Sequence, residues 1–514
     1  MKNRQIFLWT TLALIPVLFL RDYTPANELR YLSIADEALR NGTLFTFSNH
    51  GIPYADKPPL YLWLLMLSKL LFGRYHMWFL SLFSLIPAYI TVFTMNRWVQ
   101  EVTAPKERWT ASLMLLSGGI FAGMMVMLRM DMLMCMFITL SLYTFYKMTK
   151  GEGNIRTQSL LFPLYTFLAL FTKGPLGLLI PLVCTIVYLL VIHRGGTIGR
   201  YWGWRTWLIL ILCCGVWFGA VYIEGGKDYI NNLLFHQTFD RAVNAYHHKA
   251  SFYYYFVTIW YSLFPWCLLS LGVIIAAAFK RLIKSDLQKF FFVVIVTSFV
   301  LLSLFSSKME VYLMPVYPFI IYLSVLLLPH FGWNRWTALS IALPAILFVL
   351  VLPALLVMVY RFHEGMWGQR LFIEAAAILS MSGLIALFII YGKKKISASI
   401  RILTMGLFLA IFVAGWALPK VNSYIGYETL CGQASQIATA EHLTRYCTWK
   451  LYRPENMDVY LGHEIQIVTP EELEASRPAH TLFIVSLKRS GQLSPYFRVM
   501  KTYYTAQYAL IVIP

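Results

Sequence analysis

Residues 54–63 read YADKPPLYLW. An acid, a base and two prolines stand side by side between long apolar runs. Pro58 and Pro59 impose extended geometry on Lys57 and then start a helix, so Asp56 and Lys57 sit on a fixed corner. That corner is either a surface ion pair at a helix start or a reactive point. The choice depends on which side of a bilayer it faces, so the topology around it comes first.

Of 514 residues, 59% are hydrophobic and 13% are charged, with a formal net charge of +19. That apolar share is too high for an ordinary soluble surface, and apolar runs of about 20 residues recur from end to end. The chain reads as an α-helical polytopic membrane protein. Its basic residues are scattered singly between apolar segments, which argues against nucleic acid as a partner and for the inside-positive bias of membrane loops. About 13 spans are expected: 7–20, 76–97, 109–127, 132–148, 158–171, 176–192, 206–222, 255–278, 290–305, 312–328, 337–359, 371–391 and 402–418. Lys2 and Arg4 before the first apolar core suggest a signal peptide. No small-x-small site follows, so an uncleaved anchor is expected.

With the N-terminus in the cytoplasm, the inside loops hold Arg97, Lys106, Arg108, Lys147, Lys150, Arg156, Arg194, Arg200 and Arg205. Further along they hold Lys280, Arg281, Lys284, Lys289, Arg335, Lys393, Lys394, Lys395 and Arg401, against few acids. The charge asymmetry fits this orientation. Two outside loops are long, at about 21–75 and 223–254. The expected division is a transmembrane domain over 1–420 and a soluble α/β domain over 421–514, outside the membrane. In that second part charges become frequent and short β-rich runs appear: DVYLG, EIQIV, TLFIVSL, FRVMKTYY and YALIVI. Cys431 and Cys447 lie there, and they meet only if the chain reverses near Glu441.

Ionisable groups at membrane depth are costly and mark function, and nearly all of those here fall at the outer ends of spans. The first loop opens TPANELRYLSIADEALRNG, residues 24–42. Thr24 is an expected N-cap, Pro25 the first helical residue, and Asn41-Gly42 the stop. Asn27, Arg30 and Tyr31 share a face with Glu28 beside them. Leu29, Leu32, Ala35 and Leu39 form an apolar stripe that suggests a helix lying on the membrane surface. LRMDMLM places Arg129 and Asp131 at the mouth of the fourth span, and FTKGPLG places Lys173 between the fifth and sixth. SSKMEVYLMP places Lys308, Glu310 and Tyr312 at the start of the tenth. The second long loop holds His236, Asp240 and Arg241 at helical spacing, then His247 and His248. Histidines beside carboxylates suit Zn²⁺ or Mn²⁺, although no standard zinc spacing is present. No P-loop, dinucleotide fingerprint or Gly-x-Ser-x-Gly occurs. Without a nucleotide site, the energy for a reaction has to come from an activated substrate in the membrane.

Five stretches in this order, NELRY, DKPPL, RMD, TKGP and SKMEVY, resemble the motifs of the GT-C membrane glycosyltransferases. The similar branch contains the bacterial lipid A aminoarabinose transferases and is related to protein O-mannosyltransferases. The resemblance covers roughly residues 1–420. It implies a periplasmic active site at the inner membrane, inverting transfer of a sugar from a polyprenyl-phosphate donor, and lipid A, another glycolipid or a protein as acceptor. It implies that Arg30, Lys57 and Tyr312 contact the donor phosphate. It places Glu28, Asp56 and Asp131 among the catalytic candidates, and Asn27, Tyr31, Arg129, Lys173, Arg241 and Lys308 nearby. Asp56 stands where the family has glutamate, and with His236 it is the expected holder of a divalent ion (Zn²⁺, Mn²⁺ or Mg²⁺).

One departure matters. The family's aspartate before Glu28 is Asn27 here, and an amide is no general base near neutral pH. Either another carboxylate (Asp22, Glu28, Asp56 or Asp131) serves, or the acceptor is already anionic, or activity is lost. Two other classes compete. A lipid-linked sugar flippase or other transporter needs polar residues on both faces and often inverted repeats, whereas the polar clusters here are one-sided. An O-antigen ligase or polymerase would use a pyrophosphate donor.

Overall fold

Each expected span is helical, 109–127 and 255–278 as two helices each, in the computed structural model, which describes residues 3–234, 250–361, 369–476, 479–493 and 495–514. The first helices are α1 (Asn3–Leu20), α2 (Arg30–Asn41), α3 (Leu60–Phe72), α4 (Met77–Trp98), α5 (Pro105–Leu116), α6 (Gly119–Met124), α7 (Asp131–Lys150), α8 (Ile155–Lys173) and α9 (Leu176–Val191). Among the described residues, eight helices are long and apolar enough to cross a membrane. The count is nine when the bent pair Arg4–Leu20 and Pro25–Asn41 is taken as one span. The sequence total of about 13 includes apolar stretches that the chain shortens or breaks. Leu176–Val191 and Cys267–Phe279 are short helices, and the expected 109–127 span is divided at Gly118, whose backbone is extended. In the other direction, helical structure from Trp204 passes the expected end at 222, breaks at Gly226 (φ 70°) and resumes to Asn231, into what the sequence suggested was a loop. The protein is a multi-pass membrane protein.

The chain forms two compact units, one of residues 1–15, 55–61 and 81–414, the other of 16–54, 62–80 and 415–514. In the first, Trp98 at the end of α4 packs against Tyr143, Phe291 and Phe319. Hydrogen bonds between helices supplement this packing, as expected where burial from water supplies little force. Asn96 Nδ2 donates to Ser112 at 2.8 Å, Tyr322 donates to Asn96 Oδ1 at 2.8 Å, and Trp202 Nε1 donates to Thr185 at 2.8 Å.

The second unit joins the first long loop to the C-terminal residues. Its sheet runs β4 (Ile465–Ile467), β3 (Arg445–Trp449), β5 (Thr481–Ser486), β7 (Tyr508–Ile513), β6 (Thr502–Thr505) in spatial order, and a separate hairpin pairs β1 (Ser48–Asn49) with β2 (Ile52–Pro53). β3 is parallel to β4 and β5, while β7 is antiparallel to β5 and β6. Alternate residues Phe483, Val485, Ala509, Ile511 and Ile513 point to one buried face against Leu473, Leu493 and Phe497, the period-two pattern of a covered sheet. One expected strand is corrected and one strand is new. DVYLG forms a short helix, Asp458–Leu461, stopped by Gly462 at φ 69°, because glycine there turns the chain left-handed at no steric cost. RYCTW, not marked by the sequence, is β3. Cys431, in the helix Glu428–Ala440, and Cys447, in β3, are both free thiols.

Candidate active site

Two clusters carry the residues singled out by sequence, one in each unit. In the second unit, Pro25–Leu29 forms a wide helical turn closed by the Leu29 N–H on the Thr24 carbonyl, 3.1 Å and five residues back. Such π-type turns are frequent at functional sites. Thr24 is extended but does not cap through its side chain. Its N–H and hydroxyl instead donate to Glu28 Oε2 at 2.8 and 2.9 Å, and Arg21 grips both carboxylate oxygens in a fork at 2.6 and 2.7 Å. Glu28 is fully buried. The carboxylate thus holds four donors, two of them from one bidentate guanidinium, and braces the turn.

The turn leaves Asn27 half-buried and puts Arg30 at the start of α2. The Arg30 guanidinium lies 5.5 Å from the ring centre of Tyr31 and 5.7 Å from that of Tyr54, within cation–π range. Tyr54 opens the quoted stretch and carries no charge or motif that would have marked it. α2 ends at Gly42, φ 68°, as the sequence suggested. Its stripe is not lipid-facing, however. Leu29, Leu32, Ile34 and Ala35 are fully buried, and so is the polar Ser33. Asp36 is held by Lys69, by Arg40 at 3.2 Å and by the Tyr75 hydroxyl at 3.3 Å. Glu37 accepts from the Ser48 hydroxyl, the His50 N–H at 2.6 Å and the Gly51 N–H at 3.0 Å, which fastens the β1–β2 hairpin. Burial alone would push the Glu37 carboxyl up, but these three donors hold it below the usual carboxylate range.

In the first unit, Asp131 begins α7 and is buried. Lys173 donates to its Oδ1 and Arg129 Nε to its Oδ2 at 3.0 Å. The Lys173 ammonium also lies 4.4 Å from the ring centre of Tyr312. TKGPLG builds this geometry. Lys173 ends α8, Gly174 turns at φ 101°, and Pro175 precedes α9. Gly177 passes so close to the α8 backbone that a Cβ there would overlap Ala169 and Leu170. The structure thus joins RMD, TKGP and SKMEVY at one point. Lys308, expected near the phosphate, is buried with its ammonium on the carbonyls of Ala250 (3.0 Å) and Phe305. That arrangement caps backbone. Glu310, at the start of the same segment, accepts from the Tyr261 hydroxyl at 2.8 Å. Asp56 and Lys57 are both half-buried, on the corner made by the buried Pro58 and Pro59.

His236, Asp240, Arg241, His247 and His248 lie outside the described residues. Among the described residues, no three His, Cys, Asp or Glu side chains come together as a metal site would need.

A family model described as dolichyl-phosphate-mannose-protein mannosyltransferase matches residues 56–218. Over its whole length the chain resembles the crystal structure of ArnT from Cupriavidus metallidurans bound to undecaprenyl phosphate. The TM-score is 0.75 at 17% identity, covering 99% of this chain and 98% of that one. The chain therefore has the GT-C fold. An undecaprenyl phosphate-alpha-4-amino-4-deoxy-L-arabinose arabinosyl transferase of Shewanella sediminis is 24% identical over 80% of this chain and 75% of its own. An uncharacterized protein of Aquifex aeolicus is 27% identical over 60% of this chain, an alignment that spans 61% of that protein's length. The chain is thus similar, in part of its sequence, to the mannosyltransferase family model and to these aminoarabinose transferases.

Proposed function

We propose that the protein is a glycosyltransferase of the periplasmic face of a bacterial inner membrane, moving a sugar from a polyprenyl phosphate to lipid A, another envelope glycolipid or a protein. The observation that carries this reading is the buried Lys173 ammonium clamped between Asp131 and the Tyr312 ring. It holds a phenol in place for a phosphate, on a fold shared with a structure that binds undecaprenyl phosphate. In the reaction, an acceptor oxygen attacks the anomeric carbon as the bond from that carbon to the phosphate oxygen breaks. The electron pair leaves with the polyprenyl phosphate. Arg30, Lys57 and Tyr312 stabilise that charge, the largest catalytic contribution in sites of this kind.

The missing aspartate at Asn27 bears on the acceptor. Of the four substitute carboxylates, Glu28 is committed to Arg21 and Thr24, and Asp131 sits between two cations. Asp22 is buried under donors from Tyr460, Tyr23 and Glu428. Asp56 is half-exposed. Either Asp56 accepts the proton of a hydroxyl acceptor, or the acceptor is a phosphate and no base is needed. A divalent ion belongs to this reading only through Asp56 and His236. When bound, it would neutralise negative charge near the leaving phosphate.

The test is purified protein in nanodiscs with undecaprenyl-phosphate sugars and extracted envelope lipids. Release of undecaprenyl monophosphate coupled to a glycosylated acceptor is the expected result. Release of a pyrophosphate lipid would favour a ligase or polymerase. Movement of labelled donor across proteoliposomes without an acceptor would favour a transporter, and either outcome displaces the proposal.

A further inference from the structure

Residues 456–460, close to the C-terminal sheet in sequence, bond to the segment that carries Asn27 and Arg30 at three places. Asn456 Nδ2 donates to the Pro25 carbonyl at 3.0 Å. The Tyr460 hydroxyl donates to Asp22 Oδ1. Ser33 Oγ donates to Asp458 Oδ2 at 2.8 Å. Pro25 opens the wide turn, Asp22 precedes it, and Ser33 lies three residues beyond Arg30 on the same face of α2. The three bonds therefore bracket Asn27 and Arg30 on both sides in sequence. Asp22 is further tied to the C-terminal part by the Glu428 N–H at 2.8 Å, and its own N–H donates to Asn422 Oδ1 at 3.2 Å.

These contacts are expensive ones for mere attachment. Asn456 is fully buried, and Ser33 and Asp458 are buried with it. The His50 ring lies beyond hydrogen-bond reach of the same oxygen, with Nδ1 3.9 Å from Oδ2. Asp458 Oδ1 has no hydrogen-bond partner among the described residues. A buried carboxylate held mainly by one serine costs more than an apolar contact of the same size. What it gives is direction. An apolar contact tolerates sliding, whereas these bonds fix the rotation of α2 about its axis and the height of the turn before it.

We propose that Asp458, with Asn456 and Tyr460, is a positioning element through which the C-terminal domain sets the orientation of Arg30 for the donor phosphate. The inference rests on the donor reading above and names residues that reading does not use.

The test uses full-length protein in nanodiscs and radiolabelled undecaprenyl phosphate. Ser33→Ala and Asp458→Ala should each raise the Kd roughly tenfold, the scale of one charge-assisted hydrogen bond, with an unchanged number of sites per protein. The double variant should be no worse than the weaker single one, and Ser33→Thr, which keeps the hydroxyl, should bind like wild type. Hydrogen–deuterium exchange should quicken over residues 25–34 in both alanine variants and stay unchanged over 481–486 and 508–513. Fewer sites at unchanged Kd would reveal a purely structural role and overturn the proposal. So would unchanged exchange over 25–34. If wild type does not bind undecaprenyl phosphate, the donor reading fails, and the exchange measurement alone decides whether 456–460 orients the turn.

Discussion

The Lys173 ammonium faces the Tyr312 ring at 4.4 Å while bonded to Asp131, so one buried lysine links a carboxylate to an aromatic ring 139 positions further along the sequence. Three of the five sequence motifs meet there. Asp131 pairs with both Lys173 and Arg129. Asp131→Asn should therefore take the carboxylate from the buried Lys173 ammonium, at about 3–5 kcal/mol of stability. Combining it with Lys173→Met should recover part of that loss, since one stranded charge is removed. Thermal unfolding in detergent measures both. Lys173→Met alone frees the Tyr312 ring and should weaken donor binding by about 0.5–2 kcal/mol, the range of a cation–π contact.

Lys57 stands on a corner whose shape is set by Pro58 and Pro59, so its side chain can be removed with little effect on folding. Lys57→Ala should lower donor affinity by about 10- to 150-fold, the loss of a charge-assisted contact of about 1.5–3 kcal/mol. Lys57→Arg should restore only part, because a planar fork does not replace a compact ammonium. Lys69, the other base near the corner in sequence, is unsuitable as a silent control because it is paired with Asp36. The exposed Lys420 serves instead. Equal losses from Lys57→Ala and Lys420→Ala, at matched protein levels, would reduce the corner to a surface anchor.

The helices were legible because hydrophobicity alone specifies them, and the TKGP turn because glycine and proline announce it. Two kinds of feature were hidden. One is commitment: Glu28 and Lys308 look available in sequence, and only the fold shows Arg21 and Thr24 on one, and the carbonyls of Ala250 and Phe305 on the other. The other is long-range pairing. Asp458 sits in DVYLG, whose β-branched and aromatic residues suggest a strand, yet Gly462 ends it as a helical turn 425 positions from its partner Ser33. No local pattern encodes that bond. Asn27 is the reverse case, a departure visible in sequence whose consequence became arguable only when Glu28, Asp22 and Asp131 proved occupied.

Gly177 tests the hairpin that delivers Lys173. A methyl group there would overlap the α8 backbone at Ala169 and Leu170, and backbone cannot rotate away as a side chain can. Gly177→Ala should cost more than the 1–3 kcal/mol typical of about one added methylene and deplete folded protein. Gly215→Ala is the contrast. Its Cβ would meet nothing within 4 Å in the helix from Trp204 to Asn231, and helix propensity should leave it neutral or about 1 kcal/mol more stable. Size-exclusion yield and thermal midpoint separate the two.

Acid and base limits of stability should divide between two carboxylates bonded to α2 or carried by it. Burial pushes the Asp458 carboxyl above its ordinary range, and the Ser33 hydroxyl, His50, the Val459 N–H and Arg40 offset this only in part. Between the ordinary value, about 4, and the raised native one, the unfolded chain gives up its proton first. Stability contributed by Asp458 is therefore complete below that range and is lost as pH rises through it. Asp458→Asn keeps an acceptor for Ser33 and cannot ionise, so it should lose less stability than wild type over the same interval. Glu37 runs the other way. Its depressed carboxyl contributes stability that is present above the ordinary range and lost as pH falls through the native value. Glu37→Gln should therefore be weaker than wild type at neutral pH, with the deficit closing below about pH 4. Thermal unfolding of the nanodisc-held protein across this range reads both slopes. Parallel pH curves for wild type and Asp458→Asn would show that Asp458 ionises in the fold as readily as in water, and that its burial carries no electrostatic cost.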